Sequence, residues 1–125
     1  MNQLKIFLPF VALQALLTAL QWWAAGFNTA LALGCLAVSA IVLPAVCGWR
    51  LGRNRAPIWL SSVSGAGLTA TWIATAYIGH LITGEPDEET WSNVVRIAFW
   101  WLITFQVAFA YVGGNRGLKK TTNAA

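Results

Sequence analysis

Four long apolar segments constrain what this chain can fold into. They cover about residues 4–25, 29–49, 57–83 and 88–112, and short polar connectors separate them. Each segment reaches the length of about 20 residues that a helix needs to cross the hydrocarbon core of a bilayer. The sequence therefore predicts an all-α integral membrane protein, with four transmembrane helices in an antiparallel bundle that forms a single domain.

The composition agrees with a lipid environment. The 125-residue chain is 58% hydrophobic and 10% charged, whereas soluble domains carry about 25% charged residues. A soluble domain of this size could not hide so much apolar surface, because small domains bury a smaller share of their chain. The lipid bilayer is therefore the first expected partner. The net charge of +4 is divided among short loops and ends without a nucleic-acid reader motif, so no nucleic-acid partner is expected.

Charged residues are segregated between the two ends of the predicted helices. The basic residues of the N-terminus, the middle connector and the tail are Lys5, Arg50, Arg53, Arg55, Arg116, Lys119 and Lys120. The four acidic residues, Glu85, Asp87, Glu88 and Glu89, lie between segments three and four or at the start of segment four. Asp87 is a predicted N-cap of segment four. The positive-inside rule then predicts a multi-pass protein of the cell membrane with both termini cytoplasmic.

Proline and glycine mark the expected irregularities of the helices. Pro44 lies inside segment two, where the missing N–H should kink the helix and free the carbonyl of Ala40. The pair Gly113-Gly114 is expected to end segment four, since glycine is a poor helix former. The sequence therefore predicts that residues 115–125 form a mobile basic tail.

Small residues recur at helical spacing in segment three. One row consists of Gly67, Thr71, Thr75 and Gly79, and a second row consists of Ser61, Gly65 and Thr69. Helices in lipid associate through close packing, which small residues allow. Segment three is therefore predicted to be the central helix, and Ala30 and Gly34 are expected to extend this packing into segment two. The same rows would also serve as a dimerisation face, so both interpretations stay open.

One polar cluster is predicted at the outer ends of segments three and four. Arg96 is the one basic residue in the outer half, and antiparallel pairing of the two segments would place His80 at a similar depth. Together with Asn93, Glu88 and Glu89, they form the candidate polar cluster. Ionisable residues inside a membrane are functional candidates. The cluster is either a proton-handling or anion-binding site, or an electrostatic clasp that fixes the hairpin.

Other polar and aromatic residues lie deeper in the segments. Gln14, Gln21 and Gln106 are expected to hydrogen-bond between helices, although they would also suit a polar path through the protein. Trp100 and Trp101 lie deeper than interfacial anchors normally do. They begin an aromatic face that is expected to meet lipid, a partner subunit or a flat cofactor.

The sequence carries no catalytic signature. It has no Ser/His/Asp arrangement, P-loop or dinucleotide fingerprint, and its single histidine gives no metal-ligand pattern. We therefore expect a protein that is not an enzyme, needs no cofactor or metal, and acts through helix packing. It would act as a homo-oligomer or as an accessory subunit of a larger membrane complex. The alternative is a small oligomeric transporter or channel whose polar site lies at the outer ends of helices three and four.

Overall fold

The computed structural model describes residues 2–24, 27–84 and 87–124, and nearly all of these residues are helical. Its helices are α1 (Asn2–Ala24), α2 (Thr29–Arg53), α3 (Ile58–Thr83) and α4 (Glu88–Ala124). These described residues contain no strand, so the predicted all-α class is confirmed.

Three helices are long and apolar enough to cross a membrane. They are α1 over Leu4–Ala24, α2 over Thr29–Arg53 and α4 over Glu89–Lys119. Helix α3 matches α2 in length, but Ser, Thr and Gly dilute its apolar residues. Large apolar side chains are exposed around the fold, such as Leu16 at 67% and Ile82 at 79%. Water solvates such a surface poorly and lipid solvates it well.

A π-helical turn interrupts α2 in the middle. The helix is α-helical over Thr29–Ala37, π-helical over Val38–Val42 and α-helical again over Leu43–Arg53. Within the turn, the N–H of Leu43 donates to the carbonyl of Val38, five residues earlier. In that register the N–H of residue 44 would pair with residue 39, but a proline has no N–H to donate.

The predicted irregularity at Pro44 is therefore present, but its form and its free carbonyl differ from the prediction. The backbone forms a π-turn, and the carbonyl that reaches another helix belongs to Ser39 and not to Ala40. The π-turn pairs residues that are five apart and not four. The carbonyl that Pro44 leaves free therefore lies one residue earlier in the chain.

Helix α4 does not end at Gly113-Gly114, so this prediction is wrong. The helix continues to Ala124. A Cβ atom built on Gly113 would overlap the carbonyl of Ala45, and one built on Gly117 would overlap the carbonyl of Trp49. The glycines therefore serve a close approach to α2, which offsets their helix-propensity cost of about 1 kcal/mol each. The mobility of residues 115–125 stays a prediction.

The C-terminal halves of α2 and α4 form the most extensive helix contact of the fold. A Cβ atom on Gly48 would overlap the carbonyl of Ala110, and one on Gly52 would overlap the carbonyl of Gly114. The residue numbers of the contacting positions increase together along α2 and α4, so the two helices run in the same direction. Small residues spaced by four allow such close backbone approach. We call this contact the glycine interface.

Helix α3 packs against all three other helices, as predicted for the central helix. Gly67 and Gly79 lie against aromatic side chains of α1, and Gly65 lies against the backbone of Gln106 in α4. Two of its rows of small residues therefore serve contacts within the chain.

The N-terminal half of α2 behaves differently from the C-terminal half. Its segment Thr29–Ala37 packs on α1 and not on α4. Ala30 and Gly34 are exposed, and nothing lies within 4 Å of a Cβ atom built on Gly34. The prediction that these residues extend the packing within the chain is therefore wrong. In this region α2 and α4 also diverge and leave an apolar groove of about 540 Å³, which Leu33 and Leu36 line on the side of α2.

Candidate functional site

A network of buried polar side chains connects all four helices near their middle. Its members are Gln14 and Thr18 of α1, Ser39 of α2, Thr69 of α3 and Gln106 of α4. Each of them is at most 1% exposed. A buried polar group without a partner costs about 1–3 kcal/mol, so such a cluster stabilises a fold only when its hydrogen bonds are made.

Gln106 is the centre of this polar network. Its Nε2 donates to Oε1 of Gln14 over 2.8 Å and to the backbone carbonyl of Ser39 over 2.9 Å. Its Oε1 accepts a hydrogen bond from the hydroxyl of Thr69. One amide therefore joins α4 to each of the three other helices. The carbonyl of Ser39 is available for this bond because Pro44 offers it no N–H.

Gln14 completes the polar network on the side of α1. Its Nε2 donates to Oγ1 of Thr18 over 3.1 Å and to Oγ of Ser39 over 3.2 Å. The hydroxyl of Thr18 in turn donates to the backbone carbonyl of Gln14 over 2.8 Å. The predicted hydrogen bonds between helices are confirmed for Gln14 and Gln106. Both N–H groups of each amide are paired inside the protein.

Gln21 makes a separate contact between helices, close to the C-terminal end of α1. Its Oε1 accepts a hydrogen bond from Nε1 of Trp72 over 3.1 Å. Trp72 is only 4% exposed, so its indole N–H needs this partner. The predicted interhelical role of Gln21 is confirmed. The pair forms part of the wall of the 540 Å³ groove between α2 and α4.

His80 is buried near the C-terminal end of α3 and lies against α4. It is 6% exposed, and its ring stacks on Trp91 with 4.7 Å between centroids and 4° between planes. Tyr77 flanks the same stack. The structure therefore places the histidine in an aromatic contact that holds the ends of α3 and α4 together.

Three other members of the candidate polar cluster lie on the side of α4 that faces away from Trp91. Arg96, Asn93 and Glu89 are all exposed, at positions that share one helix face. Within the part of the chain that the structure describes, Arg96 has no hydrogen bond or ion pair with His80. The side chain of Glu88 lies outside the described residues. The structure therefore places three of the five residues on one exposed face and His80 in the interior.

Asp87 caps α4, as predicted. Its Oδ1 accepts a hydrogen bond from the backbone N–H of Thr90 over 3.1 Å. Hydrogen bonds from the side chain and backbone of Thr90 lower the pKa of Asp87 below its ordinary value. The carboxylate is therefore held in its charged form at the positive end of the helix.

The described residues offer little to a metal ion. No group of three or more His, Cys, Asp or Glu residues among them is placed to hold one. The arrangement that the structure does contain is a hydrogen-bonded polar core with apolar grooves around it. No protein-family model, curated protein or solved structure matches this chain.

Proposed function

We propose that this chain is a four-span integral membrane protein that acts without catalysis, through contacts of its outer surface. It works as a homo-oligomer or as an accessory subunit of a larger membrane complex. One observation carries the proposal: the N–H groups of Gln14 and Gln106 are all paired within the protein. The central polar groups thus fix helix positions, and the outward-facing side chains are left to act on other molecules.

The fourth span in this proposal is α3. Its 26 residues extend over about 39 Å at about 1.5 Å per residue, which exceeds the hydrocarbon core of about 30 Å. Helix α3 contacts three neighbours, and a helix surrounded by protein needs fewer apolar residues than one surrounded by lipid. The basic residues at one end of the helices support cytoplasmic termini.

Cysteine labelling tests this topology. With Asp87→Cys, a membrane-impermeant maleimide should label the chain from outside intact cells, because Asp87 is exposed in the acidic connector. With Lys119→Cys, labelling should require permeabilised cells. The parent chain provides the control, since both of its cysteines are buried. Labelling of Asp87→Cys from the cytoplasmic side alone would contradict the orientation.

The contact surface that we propose is an aromatic face on α4, formed by Ile97, Trp100, Trp101 and Phe105. Trp100 is 65% exposed and Trp101 is 63% exposed, and the latter stacks on Phe105. Trp100 lies about 18 Å along the helix from Glu88, near the middle of a bilayer of about 30 Å. Tryptophans that face lipid usually lie at the interface instead. A protein contact explains this depth better than lipid does.

Removal of the two tryptophans should therefore disrupt assembly. In mild detergent we expect the wild-type chain to purify as an oligomer or with another membrane protein. The double variant Trp100→Ala/Trp101→Ala should purify as the single 13.5 kDa chain, as measured by light scattering and mass spectrometry. The matched control is Trp23→Ala/Trp59→Ala, because these residues are 66% and 62% exposed but lie near helix ends. A wild-type chain that purifies as a monomer without a partner would contradict the proposal. Equal masses of the two double variants would also contradict it.

The alternative function is a small oligomeric transporter or channel with its site at the outer ends of α3 and α4. One observation favours it, namely that His80 is a buried ionisable residue beneath the acidic connector. This alternative requires ion flux in proteoliposomes that His80→Ala or Arg96→Gln abolishes while the protein stays folded. The proposed scaffold function requires that neither variant changes flux.

A further inference from the structure

A second groove lies between the inner halves of α2 and α4, apart from the aromatic face. It has a volume of about 500 Å³ and is lined by apolar side chains such as Ile41, Val46, Phe109 and Val112, with Trp49 and Arg116 at one end. Ile41 and Trp49 are eight residues apart, so the groove extends over about 12 Å. That length is close to the depth of one leaflet of a bilayer whose core is about 30 Å thick.

The inner end of this groove is strongly basic. Arg116 is exposed and lines the groove, and Lys119 is exposed one turn further along α4. The guanidinium of Arg53 lies over the ring of Trp49, 5.3 Å from its centroid. We call these three cations, Arg53, Arg116 and Lys119, the basic rim.

The glycine interface brings the basic rim together from two helices. A Cβ atom built on Gly117 would lie 2.9 Å from the backbone nitrogen of Arg53, so the backbones of α2 and α4 nearly touch at this level. The acidic residues of the chain lie in the connector at the opposite end of the helices. The positive charges of Arg116 and Lys119, which are both exposed, can therefore attract an external anion.

We propose that the groove and the basic rim bind an anionic phospholipid of the inner leaflet. One acyl chain lies along the apolar groove, and the phosphate lies at the guanidinium of Arg116 with Lys119 beside it. Arginine suits this role because its planar fork donates two parallel hydrogen bonds to phosphate oxygens. Basic pockets between helices on the cytoplasmic side are known to hold anionic headgroups. A zwitterionic lipid fits less well, because its ammonium group would lie close to the cations of Arg116 and Lys119.

This inference rests on the proposed insertion of the helices in a membrane, but not on the aromatic face. The two ideas are therefore separable by experiment. Lipid binding is measured on the detergent-solubilised chain, whereas topology and assembly are measured by labelling and by mass. A chain that binds no anionic lipid would leave the results of those two measurements unchanged.

Native mass spectrometry of the delipidated chain tests the lipid site. Phosphatidylglycerol should bind at least about tenfold more tightly than phosphatidylcholine with the same acyl chains, since basic residues near an anionic headgroup attract it. The variant Arg116→Gln/Lys119→Gln should lose most of this preference, because phosphatidylglycerol should lose more affinity than phosphatidylcholine, whose ammonium group offsets the charge of its phosphate. Glycerol phosphate without acyl chains should not bind measurably, which separates a lipid site from a simple phosphate site.

Two control variants keep this test specific. Arg96→Gln also removes a positive charge from an exposed position of α4, but at the outer end, so it should retain the preference for phosphatidylglycerol. Val112→Trp fills the groove from a position that is 45% exposed, and it should weaken the binding of both lipids. Circular dichroism would verify that each variant is folded.

Three results would overturn the assignment. The first is equal affinity of the wild-type chain for the two lipids. The second is a preference that survives Arg116→Gln/Lys119→Gln. The third is an equal loss of preference in Arg96→Gln, which would indicate an effect of net charge alone. A preference for phosphatidylglycerol that is found only when Arg116 and Lys119 are intact would support the assignment.

Discussion

Replacement of Gln106 by leucine should destabilise the fold by about 3 kcal/mol. The substitution removes three hydrogen bonds between helices, to Gln14, Ser39 and Thr69. Such bonds contribute about 0.6 kcal/mol each in membrane proteins, and a buried group left without a partner adds about 1–3 kcal/mol. The free energy of unfolding, measured by titration with sodium dodecyl sulfate in mixed micelles, would show the loss.

A double-mutant cycle with Gln14→Leu tests whether the two amides interact directly. Because they share one hydrogen bond, the double variant should lose less stability than the sum of the two single variants, by about 0.5 kcal/mol or more. Thr104→Val is the control on the same helix, since Thr104 is exposed and donates only to the carbonyl of Trp100. Its effect should stay within about 0.5 kcal/mol. Strict additivity of the glutamine variants would argue against the bond.

Replacement of Gly48 by alanine should cost about 3 kcal/mol. One added methyl group would overlap the backbone carbonyl of Ala110. Overpacking typically costs about 1–3 kcal/mol, and a backbone atom cannot move aside as a flexible side chain can. The helices would have to separate along the whole glycine interface. The same detergent titration measures the loss.

The same substitution at Gly34 provides a matched control on the same helix. Nothing lies within 4 Å of a Cβ atom at that position, so the added methyl group meets no obstacle. Alanine also favours a helix over glycine by up to about 1 kcal/mol. Gly34→Ala should therefore be neutral or stabilising. Equal changes in the free energy of unfolding for the two alanine variants would contradict the close contact of α2 and α4.

Much of the helical architecture could be predicted from the sequence, because the length of an apolar segment and the charges that flank it are local features of the chain. The connectors before α3 and α4 follow from runs of charged residues, and the N-cap at Asp87 follows from its position before an apolar run. The amides Gln14 and Gln106 were expected to pair between helices, since lipid offers them no hydrogen bonds. The sequence does not reveal that they pair with each other, because 92 residues separate them.

Other features depend on tertiary contacts that no local pattern reveals. Gly113 and Gly114 resemble a helix stop, and only the proximity of α2 explains why α4 passes through them. The expected pairing of His80 with Arg96 rested on similar depth, but depth does not determine which helix face a side chain occupies. One missed signal was present in the sequence. Ser39 lies five residues before Pro44, at the acceptor position of a π-turn.

The π-turn also sets the rotational phase of α2. Removal of one residue from Val38–Val42 would convert the turn into regular α-helix and rotate the preceding segment by about 100°. Ala32 and Cys35, which are buried in the segment that packs on α1, would then turn away from that helix. Meanwhile Gly48 and Gly52 would keep their place against α4. The additional residue in the π-turn therefore sets the rotation of one half of α2 relative to the other. The N-terminal half can face α1 while the C-terminal half faces α4.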